Sequence, residues 1–167
     1  MNAIVQEGDP ILRQTAVPVP LEEIRSERIQ RLLGSMKEAL SDCEDGVALA
    51  APQIGESVRI FVVSPKAFAE DADLSNEHLV YINPTITKLS SKKVTQEEGC
   101  LSVRSIYGLI DRSEKATVEA YDEHGKKFSR GASGLLAEIF QHEIDHLNGI
   151  LFIDTATDLR KIPPKKA

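Results

Sequence analysis

The stretch FQHEIDHLNG, Phe140 to Gly149, decides how the rest of the chain is read. Residues four apart on an α-helix lie on one face, a turn above one another. His142 and His146 can therefore aim two imidazoles at one point, with Glu143 beside the first. That arrangement suits two metal ligands and a carboxylate that handles the proton of an activated water. The helix is expected from about Ser133 to Leu147, with Gly149 as its C-cap signal. Leu136, Phe140, Ile144 and Leu147 make one buried stripe. Leu135, Ile139, His142 and His146 make the adjoining one, so this helix belongs in the core with a site on its flank.

Two histidines do not complete a metal site, and the chain has only four histidines in all. It also has two cysteines, too few for a disulfide framework in a sequence without a secretory signal. Cys43 falls on the apolar stripe of a second helix and reads as a small core residue. Cys100, in EEGCLS, is a good third ligand for a transition metal once it is a thiolate. A reducing, cytoplasmic compartment fits; an organellar stroma or matrix would follow if a transit peptide had been removed.

The 167 residues suit one domain, with 41 % hydrophobic and 28 % charged residues, ordinary for a globular protein. A net charge of −6 argues against direct nucleic-acid recognition. No apolar run approaches the ~18 residues that cross a membrane, so no membrane role is expected.

Asp9-Pro10 reads as an N-cap and first residue of a short helical turn. Ile29, Leu32, Leu33, Met36, Ala39, Leu40 and Cys43 carry helical spacing between Ser26 and Cys43. VALAAPQIG is too punctuated for a helix and reads as a loop or edge strand. VRIFVVS (Val58–Ser64) and LVYI (Leu79–Ile82) read as strands, the second broken by Asn83-Pro84. Thr85–Leu89, Lys93–Gln96 and Ile150–Ile153 are shorter candidates. KATVEAY (Lys115–Tyr121) alternates with period two and returns through Asp122–Gly125 into KKFSR as a hairpin. Residues from about 157 to 167 read as a loose basic tail. The expected class is α+β, mostly antiparallel strands around the metal-binding helix plus one N-terminal amphipathic helix, in a single catalytic domain.

The third ligand separates the zinc-peptidase patterns. HEIDHLNG begins a metzincin motif, but its third histidine would fall at Phe152. No glutamate follows Glu143, so a downstream glutamate ligand is also missing. The ligand is expected upstream, at Cys100.

Three segments then resemble one family. GVALAAPQ (Gly46–Gln53), EGCLS (Glu98–Ser102) and QHEIDHLNG (Gln141–Gly149) are similar to the signature motifs of the peptide deformylases, in the family's order. Ala48 departs from it, standing where the family usually has glycine. The resemblance implies hydrolysis of the formyl group from the N-terminal formylmethionine of new polypeptides. It implies that Cys100, His142 and His146 bind one divalent metal, Fe(II) in the native enzyme, with zinc, nickel or cobalt able to substitute. Glu143 would be the acid–base catalyst, with Gln53 and the Leu101 backbone N–H as oxyanion donors. Gly46, Val47, Ala48, Gly99 and Ile139 would contact substrate, and Glu98 with Arg112 would support the ligands as an ion pair. The implied partners are formylmethionyl nascent chains, with transient ribosome contact by a monomer. Docking through a basic C-terminal helix is disfavoured by Pro163-Pro164. A small zinc endopeptidase and a catalytically weakened metal-binding homologue are the competing readings.

Overall fold

A computed structural model describes residues 3–68 and 78–163. Helix α1 (Glu27–Ser41) begins where Ser26 accepts a hydrogen bond from Ile29 N–H, a side-chain N-cap. Helix α2 (Gly134–Leu147) ends at Asn148 and Gly149. Gly149 has φ 74°, and a Cβ there would lie 2.5 Å from the Arg13 carbonyl oxygen, so glycine is required twice over. Strands β1 (Ala48–Ala50), β2 (Ile60–Val63), β3 (Leu79–Leu89), β6 (Lys115–Tyr121) and β7 (Lys127–Ser133) form a five-stranded antiparallel sheet in the order β1-β2-β3-β6-β7. Strands β4 (Lys93–Cys100), β5 (Val103–Ser113) and β8 (Thr157–Lys161) form a second antiparallel sheet in the order β4-β5-β8. The α+β, mostly antiparallel class is as expected.

Side-chain alternation on β2 explains why its run is wholly apolar. Phe61 and Val63 join Tyr81, Phe140, Ile144 and Leu147 in the core under α2. Ile60 and Val62 join Ile29, Leu33, Met36 and Leu40 in the core under α1. A strand buried on both faces reads as a continuous hydrophobic run. Phe61 and Tyr81 are register partners whose rings stack at 4.5 Å, and Phe140 meets Tyr81 edge-on at 5.3 Å. This contact fixes α2 on the sheet. A third core, Leu12, Val103, Ile110, Leu151 and Phe152, lies with the smaller sheet.

Several local expectations change. Asn83-Pro84 sits inside β3 as an irregularity in the ladder. Asn83 takes φ 51°, and its amide exchanges two 2.8 Å hydrogen bonds with the Val19 backbone. The strand therefore bends and continues. VALAAPQIG divides into the edge strand β1 and a 3₁₀ turn, Ala51–Ile54. Ile150–Ile153 is no strand; a 3₁₀ turn occupies Phe152–Asp154. Cys43 lies beyond the end of α1 and is half-buried. Strand β5 was not anticipated. Thr157–Lys161, expected in the loose tail, pairs with β5, while residues 164–167 lie outside the described residues. Among the described residues no helix is long and apolar enough to cross a membrane.

Phe140→Ala is expected to lower stability by about 3–5 kcal/mol, because it opens a cavity where three aromatic rings meet. A lower midpoint of chemical denaturation with an unchanged slope is the diagnostic result.

Candidate metal centre

Helix α2 supplies His142, Glu143 and His146, and the end of β4 supplies Cys100. The Cys100 Sγ and one nitrogen from each imidazole lie within 4.8 Å of one another, with Sγ 3.3 Å from His146 Nε2. The imidazole rings stand 4.9 Å apart at 70°. Cys100 is brought here by an irregularity in the β4–β5 ladder between Glu98 and Cys100. Gly99 fills that gap for a steric reason, since a Cβ would lie 2.6 Å from Tyr107 Cε1.

Glu98 is buried and fixes His142. Its Oε1 lies 2.6 Å from His142 Nδ1, leaving Nε2 for the cluster. Arg112 donates to both Glu98 oxygens, at 2.9 and 2.8 Å, and to Asp145 at 2.7 Å. Burial pushes the Glu98 carboxyl up, yet bonds from Arg112 and His142 outweigh it and hold the pKa at about 2. Burial opposes a charged His142, yet Cys100 and Glu98 hold its pKa well above the ordinary value. Burial and the neighbouring His142 push that of His146 down. A thiol and two imidazoles form a transition-metal donor set, and His146 Nδ1 and Glu143 Oε2 are buried without protein partners. The residues fit a divalent metal.

Glu143 is 4 % exposed, and burial raises its pKa to about 7. Gln53 is oriented by its own turn: Oε1 accepts from Ala50 N–H at 2.9 Å. Its Nε2 donates to Ser102 Oγ at 3.1 Å and faces Cys100 Sγ at 3.6 Å. The amide donor is therefore aimed at the cluster. Behind it, the N-terminal arm is tied down. Val5 N–H donates to Gln53 O, Glu7 N–H to Ser102 O and the Gln6 side chain to Leu101 O.

These groups open onto a cleft of about 740 Å³. Gly46, Val47, Ala48 and Gln53 line one part, and Glu98, Gly99, Cys100 and Leu101 another, with Ile139, His142 and Glu143 from α2. His146 and Arg112 are buried and do not line the cleft. Ala48 lies in β1 with negative φ, so its methyl is accommodated without left-handed strain. Three supporting residues escaped the sequence reading. Asp145 braces Arg112, Ser102 receives Gln53, and Gln141 clamps α2 to Ser113 through both its amide groups. Polar residues beside ligands, on a helix otherwise apolar there, were the available signal for Gln141 and Asp145.

Residues 1–162 match the family described as polypeptide deformylase. A peptide deformylase from Desulforudis audaxviator is 42 % identical over 160 residues, covering 95 % of each chain. One from Thermomicrobium roseum is 41 % identical, covering 99 % of this chain and 93 % of its own. The crystal structure of the Thermotoga maritima peptide deformylase superposes with TM-score 0.82 at 37 % identity, covering 94 % of this chain and 98 % of its own. The Acinetobacter baumannii enzyme with bound Met-Ala-Ser gives 0.81 at 36 %, covering 91 % and 97 %.

Arg112→Met would leave Glu98 buried without its cation and is expected to cost about 3–5 kcal/mol. Metal retention, read by chelator competition, should fall about 10- to 100-fold as His142 loses its fixed orientation.

Proposed function

The chain belongs to the polypeptide deformylase family, and from that premise we propose the role each residue takes in the reaction. The enzyme removes the formyl group from new polypeptides in a metal-dependent hydrolysis. The observation that carries the assignment of roles is the convergence of Cys100, His142 and His146 beside the buried, unpaired Glu143 oxygen. The three would hold the metal, leaving room for a reactant. Bound there, a divalent cation supplies Lewis acidity, polarising the formyl carbonyl and drawing the pKa of water toward neutrality. Fe(II) is the proposed native ion, in keeping with a donor set of one thiolate and two imidazoles.

Glu143 takes a proton from the attacking water and returns it to the leaving amine. Burial raises the Glu143 carboxyl toward neutrality, the direction that suits a group which both takes and returns a proton. Gln53 Nε2, with the Leu101 backbone N–H, donates to the oxyanion that develops on the formyl oxygen. Val47 and Ile139 wall the methionine side chain. The backbone from Gly46 to Ala48 pairs with the peptide as an added strand, and β1 suits this because, among the described residues, it is the edge strand beside β2. Gly99 lets the cleft floor lie close against Tyr107. A monomeric enzyme meeting chains as they leave the ribosome, in the cytoplasm, completes the proposal; the two free cysteines suit a reducing compartment.

Formate release from formyl-Met-Ala-Ser, with no cleavage of unformylated peptides, is the direct test against an endopeptidase. Glu143→Gln is expected to keep its metal and lose more than tenfold in kcat, because an amide cannot accept the proton. Retention of over a tenth of the wild-type rate would remove Glu143 from this role. Cys100→Ser is expected to lose metal, measured by elemental analysis after dialysis. Full occupancy would exclude Cys100 as a ligand.

A further inference from the structure

Ser102 follows Cys100 by two residues, is fully buried, and bonds through three of its atoms. Its carbonyl accepts from Glu7 N–H at 2.7 Å, and its own N–H donates to Cys100 Sγ at 3.4 Å. Its Oγ accepts from Gln53 Nε2 at 3.1 Å. The hydroxyl is therefore carried on a backbone fixed on both sides. Gln53, 1 % exposed, is shut away from solvent with it. A primary amide has one acceptor oxygen and two N–H donors in a plane. Gln53 Oε1 is taken by Ala50 N–H at 2.9 Å, a donor that also decides which end of the amide is oxygen. Ser102 Oγ takes one hydrogen of Nε2, which leaves the other a single direction, toward Cys100 Sγ at 3.6 Å. Sulfur is a weak acceptor, so that hydrogen is easily given up to an oxyanion.

We propose that Ser102 is a positioning residue for the oxyanion donor: its hydroxyl engages one Gln53 hydrogen so that the second is aimed at the reacting carbonyl. The proposal rests on the deformylase reading above. It gives Ser102 two separable tasks. The backbone N–H serves the Cys100 sulfur and is untouched by a change of side chain. The hydroxyl, among the described residues, engages Gln53 alone. Without it the amide keeps only its Ala50 bond, about which the nitrogen end can swing, and one buried hydrogen loses its partner. Ser102→Ala thus removes the aim of Gln53 and leaves the sulfur contact in place. A preorganised donor acts on the charge that develops in the transition state, so its misalignment is felt in kcat rather than KM.

The test has two readouts. In protein incubated with zinc, hydrogen exchange of side-chain amides by NMR should find Gln53 protected about tenfold or more over the exposed Gln14, and Ser102→Ala should lower that protection about fivefold or more. In the metal-loaded enzyme, Ser102→Ala is expected to lower kcat for formyl-Met-Ala-Ser by about 5- to 50-fold, with KM within about twofold and metal retention against a chelator unchanged. In a Gln53→Met background the same substitution should change kcat by less than about twofold, because its effect passes through an amide that is no longer there. An unprotected Gln53 amide in the wild type, an unchanged kcat in Ser102→Ala, or an equal loss in the Gln53→Met background would overturn the proposal. Absence of formate release from the metal-loaded wild type would instead overturn the deformylase reading, while the exchange measurement still decides whether Ser102 holds the amide.

Discussion

The ion pair of Glu98 and Arg112 is the constraint on which the metal centre depends. It joins β4 to β5, reaches α2 through Asp145, and sets the His142 ring from its Nδ1 side. A buried pair of this kind adds little net stability over apolar residues of the same shape, because desolvation consumes most of the attraction. Its value is geometric. Four donor–acceptor contacts to two carboxylates hold the imidazole in one orientation, so the candidate ligand set is arranged in advance of any metal.

The two sheets have different tasks around that centre. The larger one is a packing platform, covered by α1 on one face and α2 on the other, and its aromatic contact at Phe61, Tyr81 and Phe140 settles where α2 lies. The smaller sheet delivers Cys100 and Glu98 to the helix. The candidate centre forms where these layers meet, and its residues are held by different kinds of force: the histidines by hydrophobic docking of α2, the cysteine by the β4–β5 ladder.

Much of this was legible in the sequence, for identifiable reasons. Helical spacing revealed α1, with its one apolar stripe, and α2, with two adjoining ones, and β2 and the β6–β7 hairpin announced themselves by apolar run and alternation. The three motifs brought the cleft residues together because their chemistry restricts residue type. Strand β5 was missed because Arg104, Ser105, Asp111 and Arg112 interrupt its apolar pattern, and Arg112 is buried by charge pairing rather than by hydrophobicity. Strand β8 leaves every side chain exposed, so backbone pairing alone defines it and no pattern marks it. Asn83-Pro84 has the signature of a strand end. Only the distant Val19 backbone, which the Asn83 amide grips, makes it a bend instead.

The N-terminal arm carries a consequence for handling the protein. Val5, Gln6 and Glu7 hydrogen-bond to the backbone of Gln53, Leu101 and Ser102, directly behind the amide donors of the cleft. Loosening the arm removes those three bonds. That loss reaches the segments bearing Gln53 and Leu101 without crossing the hydrophobic core. A sequence grafted onto this arm therefore sits close behind the candidate site. The Asp122–Gly125 hairpin turn joins β6 to β7 in the larger sheet, outside the cleft lining, and is the place to graft a sequence away from the candidate site.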